Sequence, residues 1–407
     1  MLISEKDQFS RRIQFARVVM HTRHSTLSSN MPRLMVLRKV EHRSEVSGVR
    51  SNMSVADDSP PVRFRILRRS GMLASVVILA VVSMCLVMQP DWLAPVILVP
   101  TWCWLILGLM LACCGLQREA KWWVVRVLIL WAAFTWLFVE ETHSLVRGVT
   151  LSPIDWRTAH ESGRGIRIVS LNCSVGQARC AEEVAVWEPD IVLLQESPGE
   201  EQLQDLVESL FGRDGTCLYG GDVSILARGR LTRRFVDERS HFVHAEVELS
   251  TGSVVEVVSV RLSPPVPRFD FWRADFWNDH REKRIDHREQ INEIIEHVQS
   301  VSSGSHLIVG GDFNAPPRDN ALATLRSRLS DAFRVAGSGW GATGTNEYPL
   351  FRVDQVWVSN SLQPVSVTAR KTVHSDHRMV VCDLMIADRL LAADYSTLAG
   401  PRESLVD

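Results

Sequence analysis

Polar residues able to bind a metal ion or move a proton stand at the ends of apolar, β-branched runs in the second half of the chain. These runs read RIVSLN, DIVLLQE, HLIVGGDFN and FRVDQV, and a further motif reads HSDH. A side chain at a strand end is held at the edge of a sheet, where several strand ends can converge. Clustered carboxylates repel one another unless a divalent cation lies among them, and a nearby imidazole can carry positive charge, so the pattern predicts metal-assisted hydrolysis of a phosphate ester. The candidate residues are Asn172, Glu196, Asp312, Asn314, Asp354, Asp376 and His377.

The motifs LN, QE, GDFN, VDxV and SDH, in this order, resemble those of the endonuclease/exonuclease/phosphatase superfamily. Its members include pancreatic-type deoxyribonucleases, apurinic endonucleases, inositol polyphosphate 5-phosphatases and bacterial sphingomyelinases. The resemblance covers Ile166 to Ile386, and GDFN followed by VDxV and SDH is its most specific part. It implies an α/β fold, a four-layer α/β/β/α sandwich of two sheets flanked by helices. The alternation of strand and helix patterns alone also fits other α/β folds.

The resemblance implies a metal site at Glu196, with Asn172 beside it and Asp376 completing the ligand set. An all-oxygen site that keeps several water ligands suits Mg²⁺ or Mn²⁺. A solvated loop carboxylate is the alternative interpretation of Glu196.

The other motifs imply groups that act on water and phosphate. Asp312 is placed to orient or deprotonate the attacking water, and Asn314 to donate hydrogen bonds to the pentacovalent transition state. His377 would contact the scissile phosphate or the leaving oxygen, and Asp354 would hold the His377 ring. Turn formation before Ala-Pro-Pro is the alternative role for Asp312 and Asn314, and a structural strand-end carboxylate is the alternative for Asp354.

One position departs from the family pattern. The strand VVSVRL ends in Arg261, where the family usually has a His or Tyr. Arginine cannot act as a general acid at neutral pH, but its guanidinium can hold a phosphate in a bidentate manner. We therefore interpret Arg261 as a phosphate clamp, and the alternatives are weakened activity or an unusual substrate. His280 or His287, in the segment that follows, could supply the missing imidazole.

Three uncharged or nearly uncharged runs precede the catalytic motifs. They are Met72 to Met88, Trp92 to Leu116, and Trp122 to Val139, the last interrupted by Arg126. Each is close to the length of about 20 residues that a helix needs to cross a bilayer, and tryptophans cluster at the ends of the second and third runs. The pattern predicts three transmembrane helices, and Arg126 is the position that fits this prediction least well.

Basic residues predict the orientation of these helices. Arg63, Arg65, Arg68 and Arg69 precede the first run, the loop QREAK follows the second, and the short loop after the first run has no basic residue. The positive-inside rule then places the N-terminus in the cytoplasm and the catalytic domain outside, as part of a multi-pass protein of the cell membrane. The predicted segments are a basic tail (1–65), three transmembrane helices (66–141), a linker (142–164), the catalytic domain (165–388) and a second tail (389–407).

Charge divides unevenly between the two halves. Before Thr150 there are about 18 Lys and Arg against about 10 Asp and Glu, and afterwards about 27 against about 37. An acidic catalytic half disfavours tight binding of long nucleic acids, which usually needs a basic face. The favoured hypothesis is therefore a membrane-anchored phosphoesterase that acts on lipid head groups or small phosphodiesters. An extracytoplasmic nuclease and a catalytically weakened binding module are the alternatives, and the sequence indicates no particular protein partner.

The segment PPVPRFDFWRADFWNDHREKR is rich in aromatic residues for a polar loop. Its rings could stack on bases, enter the bilayer or fasten the loop onto the sandwich. The residues concerned are Phe269, Phe271, Trp272, Phe276 and Trp277, and Trp340 could border the cleft.

The cysteines of the catalytic half offer one sequence-local pairing. Cys173 and Cys180 are the closest candidates for a disulfide, and Cys382 is expected to be a buried free thiol.

Overall fold

The computed structural model describes residues 62–114, 121–147, 154–266, 268, 270–301 and 306–386. All of them belong to one compact unit, Pro60–Asp407. The predicted tail 389–407, nearly all of the tail 1–65 and part of the linker 142–164 lie outside the described residues.

The N-terminal part of this unit is helical. Pro100 cannot donate a backbone hydrogen bond and restricts Val99 to an extended conformation (φ −65°, ψ 125°), so the second apolar run is broken into two helices there. The helices are α1 (Val62–Met88), α2 (Ala94–Leu98), α3 (Thr101–Cys114), α4 (Lys121–Phe138) and α5 (Glu140–Arg147), with a 3-10 turn at Asp91–Leu93.

One of these helices, over Arg69–Met88, is long and apolar enough to cross a membrane by itself. Asp91–Leu98 with Thr101–Cys113 is bent by 76°, and Trp122–Phe138 with Glu140–Arg147 is bent by 75°. If each bent pair is one span, the number of spans rises to three, judged by length and composition. Arg126 lies over the ring of Trp123, with 4.9 Å between its Cζ and the ring centroid.

Polar side chains hold the helices α1, α3 and α4 together. Ser75 Oγ donates to the carbonyl of Gly108 (2.8 Å), and Nε1 of the fully buried Trp131 donates to Ser75 Oγ (3.0 Å). A side chain at Gly108 would overlap the Trp131 ring, since an added Cβ would lie 1.8 Å from it. Close approach of these helices therefore depends on a small residue at position 108.

The catalytic part is built on a mixed sheet of eleven strands. Along the sheet the order is β10-β11-β1-β2-β4-β5-β6-β7-β9-β8, with β3 paired to β4. The strands are β1 (Gly165–Asn172), β2 (Ile191–Gln195), β3 (Gly215–Tyr219), β4 (Val223–Val236), β5 (Phe242–Leu249), β6 (Val254–Arg261), β7 (Leu307–Asp312), β8 (Ser330–Asp331), β9 (Asp354–Val358), β10 (Leu362–Arg370) and β11 (Met379–Ile386).

The long strand β4 makes the sheet curl. Its first part pairs with β2, and its second part, from Gly229, pairs with β5. Gly229 has φ 148°, and an added Cβ would lie 2.1 Å from the carbonyl oxygen of Glu248, so a larger residue would not fit at this change of partner. The two halves of the sheet consequently face each other across a core that includes Ile168, Leu193 and Val257.

Helices cover the outer faces of both halves. On the first half, α8 (Glu200–Phe211) follows Gly199 and buries Leu203, Leu206 and Val207, which lie three and four residues apart on one helix face. On the second half, α9 (Ala274–Val301) buries Ile291, Ile294 and Val298. The predicted α/β class is confirmed as a fold with a curled mixed sheet. The smaller helices are α6 (Ile154–Glu161), α7 (Ala178–Glu182), α10 (Ala323–Arg328) and α11 (Ala332–Ala336).

The helix α9 corrects one prediction. We expected the aromatic segment, which ends at Arg284, to be a loop, whereas α9 begins at Ala274 and includes the second half of this segment. The first turns carry few apolar residues for a periodic pattern, but Phe276 and His280, four residues apart, are both buried. About ten residues that we expected in a loop are therefore helical.

Among the described cysteines of the catalytic part, Cys173, Cys180, Cys217 and Cys382 are free thiols. The disulfide considered between Cys173 and Cys180 is thus absent, and both residues are buried in the apolar cluster beneath α8. Cys382 is a buried free thiol, as predicted.

We expect a buried histidine to make the stability of the fold depend on pH. His244 lies on β5, is 2% exposed, and has its pKa lowered to about 4, mainly because burial disfavours the charged ring. A depressed pKa means that the unfolded chain binds the proton first, so stability is lost as the pH falls from about 6.5 to about 4, by about 3 kcal/mol. In the variant His244→Leu, the free energies of unfolding measured in urea at pH 7 and at pH 4 should differ by that amount less than they do in the wild type. The exposed His374→Leu is the control, and an equal pH effect in both variants would contradict the assignment.

Candidate active site

Strand register brings the predicted residues to one edge of the sheet. Asn172 ends β1 and is paired with Gln195, the residue before Glu196. On the other half, Asp312 at the end of β7 is paired with both Arg261 and Asp354. Because the two halves of the sheet face each other, these two sets of strand ends meet.

Asp312 lies at the centre of the cluster and is buried. Asn172 Nδ2 donates to Asp312 Oδ2 (3.1 Å), and the backbone N–H of Asn314 donates to Asp312 Oδ1 (3.0 Å). Burial and, next, the charge of Asp354 raise the pKa of Asp312 to about 6, against the opposing charge of His377. Asp312 is therefore mostly ionised at pH 7 but more basic than an ordinary aspartate, as a proton acceptor must be.

His377 and Asp354 form an ion pair in which Nδ1 of the ring lies 2.8 Å from Asp354 Oδ2. Burial by itself lowers the pKa of His377, but the charge of Asp354 and the hydrogen bond to it outweigh burial and raise the pKa to about 10. The ring is therefore protonated at neutral pH. The predicted orienting contact from Asp354 is present.

Glu196 is held on the first half of the sheet by a left-handed backbone conformation (φ 45°) and by three donors. Asn172 Nδ2 (3.4 Å) and Arg261 Nη2 (2.8 Å) donate to its Oε1, and the backbone N–H of Val175 donates to its Oε2. Asn172 Nδ2 thus bridges the carboxylates of Glu196 and Asp312.

Arg261 faces the cluster between two carboxylates. Its guanidinium bonds to Glu196 and to Asp222, which lies in the turn between β3 and β4. Burial opposes the charge of Arg261, but Asp222 and Glu196 raise its pKa above the usual value. Asp222 was not among the predicted residues, because the turn YGGD that contains it gives no signal of a site.

Asp376 and Asn314 are also placed at this edge. Asp376 bonds to the hydroxyl of Ser174, which in turn accepts from the Asp376 backbone N–H (2.9 Å). Asn314 has φ 48°, and its Nδ2 donates to the carbonyl of Leu262 (2.9 Å), which leaves the second amide proton for another acceptor. The predicted turn chemistry is therefore present at Asn314, together with a free donor.

The oxygen donors of the cluster fit a hard divalent cation. Asp354 Oδ1 is buried and has no hydrogen-bond partner among the described residues, so this oxygen is left for a cation or a water molecule. Ligand atoms of Asp312, Asp354 and His377 all lie within 4.8 Å of one another. This group differs from the predicted ligand set of Glu196, Asn172 and Asp376. A protonated His377 ring has no lone pair to give to a cation, so within this group only carboxylate oxygens can bind one.

The remaining candidates lie around this edge. His280 and His287 are buried on α9 beside Asn314, in the lining of a small cavity, and Nε2 of His287 lies 2.7 Å from the carbonyl of Ser263. Trp340 contacts the N-terminal helices rather than the described cluster, with its ring centroid 6.1 Å from that of Trp102.

The described aromatic side chains of the α9 segment divide into two groups. Phe276 is buried and Trp277 Nε1 donates to the carbonyl of Phe271 (2.8 Å), which fastens this segment to the domain. Phe271 and Trp272 are 66% and 75% exposed. Phe269 lies outside the described residues.

A family model described as Endonuclease/Exonuclease/phosphatase family matches residues 169–377. No curated protein matches the chain. Among similar solved structures, an endonuclease/exonuclease/phosphatase from Bacteroides vulgatus has 17% identity over 55% of this chain and 99% of its own, with a TM-score of 0.45. A humanized D. rerio TDP2 has 17% identity over 54% and 99%, with a TM-score of 0.42. Beta toxin from Staphylococcus aureus has 15% identity over 53% and 99%, with a TM-score of 0.42.

Proposed function

Since this chain belongs to the endonuclease/exonuclease/phosphatase family and is a phosphoric ester hydrolase, we propose that it is a membrane-anchored, divalent-metal-dependent phosphoesterase acting on lipid head groups or small phosphodiesters. The observation that carries this proposal is the convergence of Glu196, Asp312 and the Asp354–His377 pair at one sheet edge. Mg²⁺ or Mn²⁺ bound there would neutralise the carboxylates and withdraw charge from the phosphate.

The side chains have distinct roles in this proposal. Asp312 accepts a proton from the attacking water, because its raised pKa makes it a stronger base than an ordinary aspartate. The charged His377 ring faces the phosphate or the leaving oxygen, and Asn314 donates to the oxygen that gains charge. Arg261, tethered by Asp222, holds a further phosphate oxygen.

Contacts between the N-terminal helices and the catalytic domain support the proposed topology. The turn after α1 contacts the domain through Asp91, which pairs with Arg288 (2.6 Å). The helix α5, which follows the third apolar run, contacts it through Arg147, whose Nε donates to Gly337 O (3.0 Å). Three spans with a cytoplasmic N-terminus would put this turn and α5 on the same outer side of a membrane, together with the catalytic domain.

An extracytoplasmic nuclease is the second candidate. The exposed rings of Phe271 and Trp272 favour it, because exposed aromatic side chains can stack on unpaired bases. The excess of acidic residues in the catalytic half counts against it.

The substrate class is tested with the full chain in detergent micelles. Hydrolysis of a phospholipid in mixed micelles, single-stranded DNA and an aryl phosphodiester is compared with Mg²⁺, with Mn²⁺ and with EDTA. We expect turnover that EDTA abolishes, with the highest kcat/KM for the lipid or the aryl ester. The highest kcat/KM for DNA would select the nuclease, and no turnover with any substrate would favour a weakened binding module.

The metal site is tested by Glu196→Gln. Loss of this carboxylate removes a charged ligand but keeps the shape of the side chain, so the Mg²⁺ concentration at half-maximal activity should rise at least about 10-fold. The exposed Glu248→Gln is the control and should leave this concentration unchanged. An unchanged Mg²⁺ requirement in Glu196→Gln would show that the metal binds elsewhere.

A further inference from the structure

We propose that the N-terminal helices position the catalytic loop, defined as residues 313–319, and that Arg284 is the positioning residue that joins them. Two structural units meet at this residue: the catalytic loop, which carries Asn314, and the helix-joining turn, defined as residues 89–91. This inference goes beyond the proposed function, because it concerns how the site is assembled and holds for any phosphate ester.

The Arg284 side chain lies on α9 and is 2% exposed. Its Nε and Nη2 donate to the two carboxylate oxygens of Asp319, both at 2.9 Å. Its Nη1 donates to the carbonyls of Gln89 (3.3 Å) and Pro90 (3.2 Å) in the helix-joining turn. One buried guanidinium therefore holds the end of the catalytic loop and the N-terminal helices at the same time.

Two further contacts hold the loop one residue earlier. Gln89 Nε2 donates to the carbonyl of Arg318 (2.7 Å), and Arg318 Nη1 donates to the carbonyl of Leu137 at the end of α4. The catalytic loop is therefore bonded at Arg318 to two parts of the helical region, the helix-joining turn and the end of α4.

The loop itself is stiff enough to transmit a displacement. Pro316 and Pro317 fix two backbone φ angles, and the Asp319 backbone N–H donates to the carbonyl of Pro316 (2.9 Å). On the other side, Gln355 Nε2 donates to the carbonyl of Ala315 (2.7 Å). Asn314, with φ 48°, keeps a conformation that its surroundings must maintain, so a shift at residues 318–319 should move its amide.

This arrangement gives the helical region a role in turnover besides attachment. A displacement of about 1 Å in a group that binds the transition state can cost up to about 100-fold in rate. Undocking the helices would release the catalytic loop, lower kcat and leave the affinity for substrate nearly unchanged.

The test uses the full chain in detergent micelles, with the best substrate of the panel described above. Arg284→Gln would leave Asp319 buried and unpaired and could prevent folding, so two milder variants are used. Gln89→Leu removes the hydrogen bond to Arg318 O. Arg284→Lys keeps a positive charge beside Asp319 but loses the guanidinium N–H groups that donate to the carbonyls of Gln89 and Pro90. The control Arg288→Gln breaks a contact of the same turn, with Asp91, but leaves in place the Gln89 and Arg284 bonds that join this turn to the catalytic loop.

We expect kcat to fall at least about 10-fold in Gln89→Leu and Arg284→Lys, with KM within about two-fold of wild type, and no change in Arg288→Gln. If positioning acts through Asn314, Gln89→Leu should have no further effect in an Asn314→Ala background. Multiplicative losses in that double variant, or equal losses in Arg288→Gln, would overturn the proposal.

Amide hydrogen exchange provides a readout that needs no turnover. Residues 313–319 should exchange faster in Gln89→Leu and at the wild-type rate in Arg288→Gln. Unchanged exchange in Gln89→Leu would overturn the proposal even if no substrate had been found.

Discussion

Asp312→Asn is expected to reduce kcat by at least about 1,000-fold while the protein remains folded. The substitution removes the group that accepts the water proton and one carboxylate of the cation site, and each of these contributions alone is typically worth about 100-fold or more. Asparagine can keep the hydrogen bond from the Asn314 backbone N–H, because its amide oxygen can replace Oδ1. Rates with Mg²⁺ on the best substrate, together with thermal unfolding of both proteins, check this result.

The matched control is Asp190→Asn. Asp190 is a buried carboxylate at the opposite end of β1 and β2, where it accepts from the backbone N–H of Arg167 (2.8 Å). We expect this variant to lose some stability and keep the wild-type kcat. A loss of kcat of the same size in both variants would mean that damage to the fold, rather than chemistry at Asp312, explains the effect.

The strand-end residues could be predicted from sequence because their position depends on local pattern. An apolar β-branched run predicts a strand, and the polar residue that ends the run must lie at a sheet edge. Asn172, Glu196 and Asp312 obey this rule, and the structure joins them through a single amide group, Nδ2 of Asn172. The relation between the two halves of the sheet is different, because it depends on Gly229, whose role appears only when its partner strand is known.

The contacts that complete the site could not be predicted because they join segments distant in sequence. Arg284 and Gln89 are separated by 195 positions, and Arg261 and Asp222 by 39. No periodicity or spacing predicts such pairs, because in the sequence each of these residues is an ordinary charged or polar residue of a helix, a strand end or a turn. The departure at Arg261 was visible in the sequence, but its two carboxylate partners were not.

His377→Gln and Asp354→Asn are expected to lower kcat by about 100-fold each, and the double variant by little more than either alone. His377 supplies positive charge next to the phosphate, and Asp354 keeps that charge in place, since its own charge and hydrogen bond raise the pKa of the ring to about 10. If Asp354 acts through His377, removing it from a chain that already lacks the imidazole should cost less than about three-fold. Measurement of kcat for the four proteins of this cycle decides the point. If the two losses multiply, Asp354 has a role of its own, and its buried Oδ1, which has no partner among the described residues, would then be best explained as a ligand of the cation.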